Sequence, residues 1–171
     1  MRGIFIGRFQ PFHKGHLSII EEALGVVDEL VIGIGSAESS FTEKDPFTAG
    51  ERIEMLRAVI RKRYWQDRII LVPIRDVNRY SIWVSHVVSL SPRIDVVFSN
   101  NPLTVTLFKE AGYKVTSTKL VERENYSGIG IRKRIAEGVE WEHLVPEPVS
   151  SVILSLEGDK RIKNLMKRGG I

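Results

Sequence analysis

Short apolar runs alternate along the chain with longer stretches in which apolar residues recur every three or four positions. The short stretches at 4–7, 29–34, 68–74, 95–98 and 114–117 predict β-strands, and the continuous apolar run at 29–34 is typical of a strand buried on both faces. The periodic stretches predict helices at 15–25, 48–63, 80–90, 102–111, 127–137, 148–156 and 159–167. Thr48 and Glu51 have capping-box spacing, which marks the start of the second helix.

The regular alternation of strands and helices predicts an α/β fold with a doubly wound parallel sheet. Each helix returns the chain to the same end of the sheet, so neighbouring strands run parallel. The carboxyl ends of such strands share one edge, where ligands bind. We therefore expect the segments 7–16, 35–48, 75–80 and 99–102, each of which follows a strand, to converge on one cleft.

The composition is that of an ordinary globular protein, and it excludes several kinds of site. The chain has 171 residues, 43% hydrophobic and 27% charged, which predicts a single domain with an α/β core over about 1–140 and a C-terminal helical extension over about 141–171. Because cysteine is absent, disulfides, thiolate metal sites and cysteine nucleophiles are excluded. Neither an apolar run of about 18 residues nor a signal-peptide core is found, so we expect a cytoplasmic protein without a membrane partner.

The net charge of +4 fits a protein whose ligands are polyphosphates as well as one that binds nucleic acid. Cations are dense near the C-terminus, at Lys160, Arg161, Lys163, Lys167 and Arg168. No aromatic side chain lies among them, which argues against base stacking. We interpret this stretch as a solvated C-terminal helix and expect no nucleic-acid partner.

The sequence GRFQPFHKGH, residues 7–16, joins the first predicted strand to the first predicted helix. Gly7 and Gly15 bracket the turn, and the backbone N–H groups at the start of the helix favour phosphate. His13 and His16 are three residues apart, so both side chains can lean over the same ligand. The segment therefore predicts a site that handles phosphate.

The residue types of this segment argue against other kinds of site. Arg8 and Lys14 add positive charge, and the segment has no carboxylate and no serine or threonine nucleophile. Its spacing does not match a P-loop, and the glycine pattern that begins at Gly33 fails at Glu38. A catalytic zinc site usually needs three protein ligands, and only two histidines are present here. The remaining alternative is that each histidine is merely structural.

The segment 7–16 resembles the HxGH signature of the nucleotidyltransferase superfamily, in the form found in archaeal-type nicotinamide mononucleotide (NMN) adenylyltransferases. Further stretches resemble the same family in the same order, at 27–30, 33–37, 45–52, 81–84, 101–103, 126–128, 131–132 and 141–146. The resemblance covers nearly the whole chain. It implies a Rossmann-like fold, a homo-oligomer that is a hexamer by resemblance, and transfer of an adenylyl group from ATP to NMN, which yields NAD and pyrophosphate.

The resemblance also implies the site residues. By resemblance the catalytic residues are His13, His16 and Arg132, the ATP-binding residues are Gly7, Arg8, Phe9, Gln10, Lys14, Asn101, Tyr126, Ser127 and Gly128, and the NMN-binding residues are Gly35, Ser36, Tyr80 and Trp83. Position adds Asn78 to the NMN site and Lys44 to the ATP site, since Lys44 lies in the loop before Phe47 and can reach the triphosphate as the loop closes; a solvated loop lysine is the equal alternative. The attacking phosphate of NMN is already an anion, so the reaction needs donors and cations on the phosphates rather than a general base. We expect Trp83 to stack on the nicotinamide ring and Mg²⁺ to be held by ATP oxygens and water, with no dedicated protein ligand.

Two departures from the family pattern bear on ATP contacts and on acceptor choice. Ile129 and Gly130 stand where the pattern has threonine and glutamate, so a hydroxyl at a helix start is lost and weaker ATP contacts are expected. Tyr80 stands where the pattern has an asparagine associated with the nicotinamide nucleotide, although Asn78 lies two residues away. Nicotinate mononucleotide, FMN and phosphopantetheine are therefore alternative acceptors. A non-catalytic nucleotide- or RNA-binding regulator is the hypothesis from another class.

Overall fold

The computed structural model describes residues 1–119 and 125–168 of the chain, without the side chain of Arg168. The strands are β1 (Arg2–Gly7), β2 (Glu29–Ile34), β3 (Ile69–Pro73), β4 (Val96–Phe98) and β5 (Lys114–Thr116). The helices are α1 (Lys14–Leu24), α2 (Ala49–Lys62), α3 (Tyr80–Leu90), α4 (Pro102–Glu110), α5 (Gly128–Glu137), α6 (Glu147–Ser155) and α7 (Gly158–Arg168). Each element lies where the sequence predicts it, with ends that differ by at most about two residues. A short 3₁₀ turn at Glu142–Leu144 was not predicted.

Several helix starts are fixed by side chains that the sequence shows. The capping box of α2 is confirmed, because the Thr48 hydroxyl accepts a hydrogen bond from the Glu51 backbone N–H (3.1 Å) and the Glu51 carboxylate accepts one from the Thr48 N–H (3.0 Å). The side chain of Asn101 caps α4, which has proline at its first position. Such caps satisfy backbone N–H groups that have no partner within the helix.

The chain forms two compact units, each assembled from separate segments. The first comprises Met1–Arg8, Ile19–Ala37 and Gln66–Lys119, and it contains the whole sheet, α3, α4 and the end of α1. All strand pairs are parallel, and the strand order is β3-β2-β1-β4-β5. The predicted α/β class with a doubly wound parallel sheet is therefore confirmed. Chain order reverses between β1 and β4, so the carboxyl ends of these two strands form a topological switch point.

The core of the first unit joins the sheet to α3 and α4. Ile4, Val31 and Val97 project from three neighbouring strands and pack with Val87 of α3 and Phe108 of α4, and all five are almost fully buried. This shared apolar cluster holds both helices on one face of the sheet. It thereby also holds the loops that precede these helices, at the carboxyl ends of β3 and β4.

The second unit comprises Phe9–Ser18, Glu38–Trp65 and the described residues from 125 onward. Here α2 packs against α6, and α7 packs against both α5 and α6. The predicted single domain with a C-terminal extension that begins near residue 141 stays a prediction. None of the helices within residues 1–119 and 125–168 is long and apolar enough to cross a membrane.

The helix predicted at the basic C-terminus is confirmed as α7, but its expected solvation is wrong for one residue. Arg161 is half-buried and bonds to Glu51 through two guanidinium nitrogens, at 2.6 and 2.9 Å. Lys160 is exposed and pairs with Glu157 at 2.6 Å. The cationic run therefore contains at least one cation that forms a structural ion pair. A count of charges along the sequence does not distinguish such a cation from a solvated one.

Arg68 closes the end of α1, and its removal should destabilise the first unit. Its guanidinium donates to the carbonyl oxygens of Leu24 and Val27 (both 2.7 Å) and of Asp28 (3.0 Å). Arg68→Ala should lower the free energy of unfolding by about 1–3 kcal/mol, because carbonyl groups of a helix end lose their donor. Urea denaturation measures the loss, with Arg57→Ala, at an exposed arginine of α2, as the matched control. Equal stability of both variants would contradict the prediction.

Candidate active site

The two histidines of the HxGH signature lie face to face at the start of α1. Their ring centroids are 3.6 Å apart, and the ring planes are inclined by only 22°. Each backbone N–H donates to the Nδ1 atom of the other residue, from His13 to His16 at 3.2 Å and in the reverse direction at 3.3 Å. Because Nδ1 is an acceptor in both rings, a neutral ring carries its proton on Nε2. The pair therefore offers two N–H donors.

Burial keeps both imidazoles neutral. Phe9 meets His16 edge-on at 4.8 Å between ring centroids, and Phe12 lies 5.6 Å from the same ring. Burial lowers the pKa of His13 to about 4. Burial also lowers the pKa of His16 well below its ordinary value, and the neighbouring charge of a protonated His13 lowers it further. Both rings are therefore uncharged at neutral pH, so they can donate hydrogen bonds to phosphate oxygens without adding net charge.

Gly15 is required by close packing. A Cβ atom at this position would lie 2.9 Å from Cε1 of His13 and 3.0 Å from Cβ of Tyr126, closer than side chains tolerate. Tyr126 thus lies beside His13, and its assignment to the ATP site stays a prediction. Gly15 was predicted to bracket a turn, and in the structure it also makes room for the His13 ring.

Gln10 connects the histidine segment to two other parts of the second unit. Its side-chain amide donates to the carbonyl oxygen of Phe47 and accepts from the N–H of Phe47, both at 2.9 Å. Its own carbonyl oxygen accepts a hydrogen bond from Nη1 of Arg132 at 2.7 Å. A Cβ atom at Gly128 would lie only 2.7 Å from that Nη1 atom, so a glycine lets the guanidinium approach. Gln10, Arg132 and Gly128, all predicted site residues, are therefore brought together.

The start of α5 keeps a hydroxyl cap despite the departures at Ile129 and Gly130. The Ser127 hydroxyl accepts a hydrogen bond from the Gly130 N–H at 3.0 Å. Ile129 leaves 75% of its surface exposed, so its side chain contributes little to the packing of the helix. The lost threonine therefore does not leave the helix without a cap, and Ser127 fulfils this role.

The first unit holds the residues predicted to bind NMN at the carboxyl ends of its strands. Gly35 donates a backbone hydrogen bond to the Gly7 carbonyl oxygen at 2.8 Å, which joins the ends of β1 and β2. Ser36 donates from its hydroxyl to Asp76, in the loop after β3, at 2.8 Å. Ser36 and Asn78 have positive φ angles of 46° and 54°, a conformation that costs free energy in residues other than glycine. Such strain at strand ends is typical of ligand sites.

The start of α3 presents the two aromatic residues that were assigned to NMN. Tyr80, the first residue of the helix, leaves 66% of its surface exposed. Trp83 is half-buried, and its ring meets Phe108 edge-on at 5.6 Å with an interplanar angle of 79°. Core packing therefore fixes one edge of the indole, which is what a stacking platform for a planar ring needs.

The remaining predicted residues differ in their burial and in their hydrogen bonds. Arg8, Lys14 and Lys44 are exposed. The Asn101 side-chain oxygen accepts hydrogen bonds from two backbone N–H groups of α4, so this residue serves as a helix cap. Phe9 is buried and has a positive φ of 56°. The expected convergence of all strand-end segments on one cleft stays a prediction.

Sequence reasoning did not single out Asp76 and Phe47. Asp76 is a polar residue in the loop that follows β3, so its place near a strand end was a usable signal. Phe47 acts through its backbone, which Gln10 holds from 37 positions away. No side-chain pattern reveals such a contact.

No resident metal centre is formed by the described residues, because no group of three or more histidine, aspartate or glutamate side chains is placed to hold an ion.

Comparison with known proteins agrees with the geometry. The cytidylyltransferase-like family matches residues 4–134, well over half of the chain. The chain is 54% identical over 164 residues to the nicotinamide-nucleotide adenylyltransferase of Methanosarcina mazei, an alignment that covers 96% of this chain and 94% of that protein. The chain belongs to the nicotinamide-nucleotide adenylyltransferase family. The family predicted from residues 7–16 is thereby confirmed, and so is the prediction of a nucleotidyltransferase enzyme.

Further members of the nicotinamide-nucleotide adenylyltransferase family support this assignment. The protein of Archaeoglobus fulgidus is 47% identical over 172 residues, with 98% of this chain and 99% of that protein covered. Among solved structures, the chain is similar to a bifunctional NMN adenylyltransferase/ADP ribose pyrophosphatase from Francisella tularensis, complexed with AMP and a manganese ion. The TM-score is 0.76 at 20% identity, with 99% of this chain and 52% of that chain covered. This likeness supports the fold, and our chain spans about half of that protein.

The lowered histidine pKa values predict a loss of stability on acidification. An unfolded histidine binds a proton near pH 6.5, whereas folded His13 does so only near pH 4, so the unfolded state binds more protons between these values. Each histidine that stays neutral in the folded state should therefore lower the free energy of unfolding by about 1.4 kcal/mol as the pH falls from about 7.5 to about 5.5. Urea denaturation at both pH values measures this slope.

A pair of variants isolates the contribution of the histidine pair. His13→Asn should show a smaller loss than the wild-type chain, because one proton-binding group is removed from both states. His143→Asn, at an exposed histidine, should keep the wild-type slope. An unchanged slope in His13→Asn would show that this ring is not held neutral.

Proposed function

We propose that this chain transfers the adenylyl group of ATP to NMN, which yields NAD and pyrophosphate. The observation that carries the proposal is the stacked, neutral pair of His13 and His16, each with its proton on Nε2 because Nδ1 accepts a backbone hydrogen bond, in a chain 54% identical to a nicotinamide-nucleotide adenylyltransferase. The proposal rests on this histidine pair and on membership of the family, and it assigns a role to each residue of the site.

The chemistry needs charge stabilisation and no base. A phosphate oxygen of NMN forms a bond to the α-phosphorus of ATP, and the bond between that phosphorus and the oxygen leading to the β-phosphate breaks, so pyrophosphate leaves with the bonding electrons. The nucleophile is already an anion. A histidine with a pKa of about 4 is a poor base but a good N–H donor, which suits a group that stabilises negative charge as it moves toward the leaving group.

The start of α5 and Arg132 supply the second source of positive potential. The first N–H groups of α5 and the helix dipole favour an anion, and Gly128 keeps this end free of side-chain bulk. Arg132 is assigned to the β- and γ-phosphate oxygens, and its bond to the Gln10 carbonyl oxygen holds its guanidinium in a fixed orientation. Mg²⁺ is assigned to the triphosphate oxygens, where it neutralises phosphate charge when bound.

The acceptor is assigned to the strand ends of the first unit. Trp83, fixed edge-on by Phe108, is the stacking platform for the pyridinium ring of NMN, an arrangement worth about 2 kcal/mol when the cation is desolvated. Ser36 and Asp76 offer a hydroxyl and a carboxylate at neighbouring strand ends. We also propose that the chain forms a homo-oligomer, which the resemblance predicts to be a hexamer.

Loss of one histidine donor tests the chemical role. His16→Ala should lower kcat by about 10²–10³-fold and raise KM for ATP far less, because the donor matters most as charge develops on the phosphates. Release of pyrophosphate under saturating ATP and NMN measures the effect. His143→Ala, at an exposed histidine, is the control. An unchanged kcat in His16→Ala would remove this residue from the mechanism.

A panel of acceptors tests the substrate. Pyrophosphate release from ATP and Mg²⁺ should be fastest with NMN when NMN, nicotinate mononucleotide, FMN and phosphopantetheine are compared separately. Tyr80→Asn, which restores the residue of the family pattern, should lower KM for NMN and leave KM for ATP unchanged. Turnover with a different acceptor and not with NMN would support the assigned phosphate site but contradict NMN as the substrate. ATP binding without turnover on any acceptor would favour the non-catalytic regulator.

A further inference from the structure

A cationic residue of the C-terminal helix lies against the loop that carries Lys44. Arg161 of α7 donates to both carboxylate oxygens of Glu51, at 2.6 and 2.9 Å, and to the backbone carbonyl oxygen of Pro46 at 3.1 Å. Its guanidinium carbon also lies 4.4 Å from the ring centroid of Phe41. One side chain therefore contacts the loop near its beginning, at its end and on the helix that follows.

The contacts surround the loop on both sides of Lys44. Within the loop, the Thr42 hydroxyl accepts a hydrogen bond from the Asp45 N–H at 2.9 Å. At its end, Phe47 is fully buried, and a Cβ atom at Gly158, the first residue of α7, would lie 2.7 Å from the Phe47 ring. The start of α7 thus packs directly against Phe47, and only a glycine leaves room for that contact.

The same loop end is joined to the histidine segment. Gln10 bonds twice to the Phe47 backbone, so the loop is held from one side by α7 and from the other by the segment with the stacked histidines. Lys44 itself is exposed. The loop therefore has fixed ends and presents an exposed cationic side chain between them.

We propose that Arg161 is a positioning residue that holds loop 41–47, and with it Lys44, in the conformation that binds the triphosphate of ATP. This inference rests on the proposed function, because it gives Lys44 the role of a phosphate-binding residue. It assigns to the C-terminal helix an indirect part in ATP binding, through the loop that Arg161 contacts.

The guanidinium suits this role for geometric reasons. It forms two parallel bonds to one carboxylate while its flat face lies on an aromatic ring, and a lysine ammonium cannot do both. Burial alone would raise the pKa of Glu51, but hydrogen bonds from Arg161 and from the Thr48 backbone hold it below its ordinary value. The carboxylate therefore stays charged at neutral pH, and the contact does not depend on protonation in that range.

Steady-state kinetics of three variants tests the proposal. Arg161→Ala should raise KM for ATP about tenfold and change kcat by less than about threefold, because substrate binding is affected more than the chemical step. Arg161→Lys should restore only part of the ATP affinity. Lys160→Ala, at the preceding exposed residue of α7, is the matched control and should resemble the wild-type chain.

A double-variant cycle shows whether Arg161 acts through the loop. Lys44→Ala alone should raise KM for ATP about tenfold, but in the Arg161→Ala background its further effect should fall below about twofold. Hydrogen exchange of residues 39–50 should become faster in Arg161→Ala and remain unchanged in Lys160→Ala. Full additivity of the two substitutions, or unchanged exchange of the loop, would overturn the proposal.

Two further measurements distinguish failure of this proposal from misfolding of a variant and from failure of the proposed function. If Arg161→Ala does not fold by circular dichroism, Arg161→Lys takes its place in the cycle and in the exchange experiment. Calorimetric binding of ATP with Mg²⁺ to every variant replaces KM if the wild-type chain does not turn over NMN. In that case the proposed function fails, whereas weaker ATP binding in the Arg161 variants with non-additivity toward Lys44 still supports the positioning role.

Discussion

The second unit depends on how Gln10 is held. Its side-chain amide completes the backbone hydrogen bonding of Phe47, and its carbonyl oxygen accepts from Arg132, all within a region where Gln10 is only 4% exposed. A buried backbone group that loses its partner costs about 1–3 kcal/mol, so an apolar residue here would leave both Phe47 groups unsatisfied. Through its side-chain amide and its backbone carbonyl, Gln10 therefore joins the histidine segment to the loop before α2 and to helix α5.

The histidine pair shows how the fold selects a protonation state. Two imidazoles at van der Waals separation would repel one another if both were charged, and the aromatic rings around them offer no compensating anion. The reciprocal backbone bonds to Nδ1 also choose the tautomer. The position, charge and tautomer of both rings are thus set by the fold, and such preorganisation is what the proposed transfer would require.

Local patterns were sufficient to predict the elements but not the contacts that assemble the site. The capping box at Thr48 and the apolar run of β2 are each written in a few neighbouring residues, and the structure confirms them. Arg161 and Glu51 are 110 positions apart, and Gln10 meets a backbone rather than a side chain. Such pairings follow from tertiary packing, which hydrophobic periodicity does not encode.

Resemblance to the family identified the function, which hydrophobic periodicity could not do. The structure then changed the interpretation of individual motif residues. HxGH named the family correctly, yet the signature does not reveal that its two histidines stack on each other or that Phe9 adopts a positive φ. The Ile129 departure looked like the loss of a cap, but Ser127 already occupies that role. A substituted motif position therefore has to be judged with its neighbours in space.

The close contacts at Gly15 and Gly128 constrain how this site can evolve. At Gly15 any added side chain would meet the His13 ring and Tyr126, and at Gly128 it would meet Arg132 and the Gln10 carbonyl. Neither glycine can be replaced alone without displacing a residue assigned to the reaction. Sequence change at these positions must therefore be preceded by compensating change in the neighbours, so the order of substitutions, and not only their identity, decides which variants a lineage can reach.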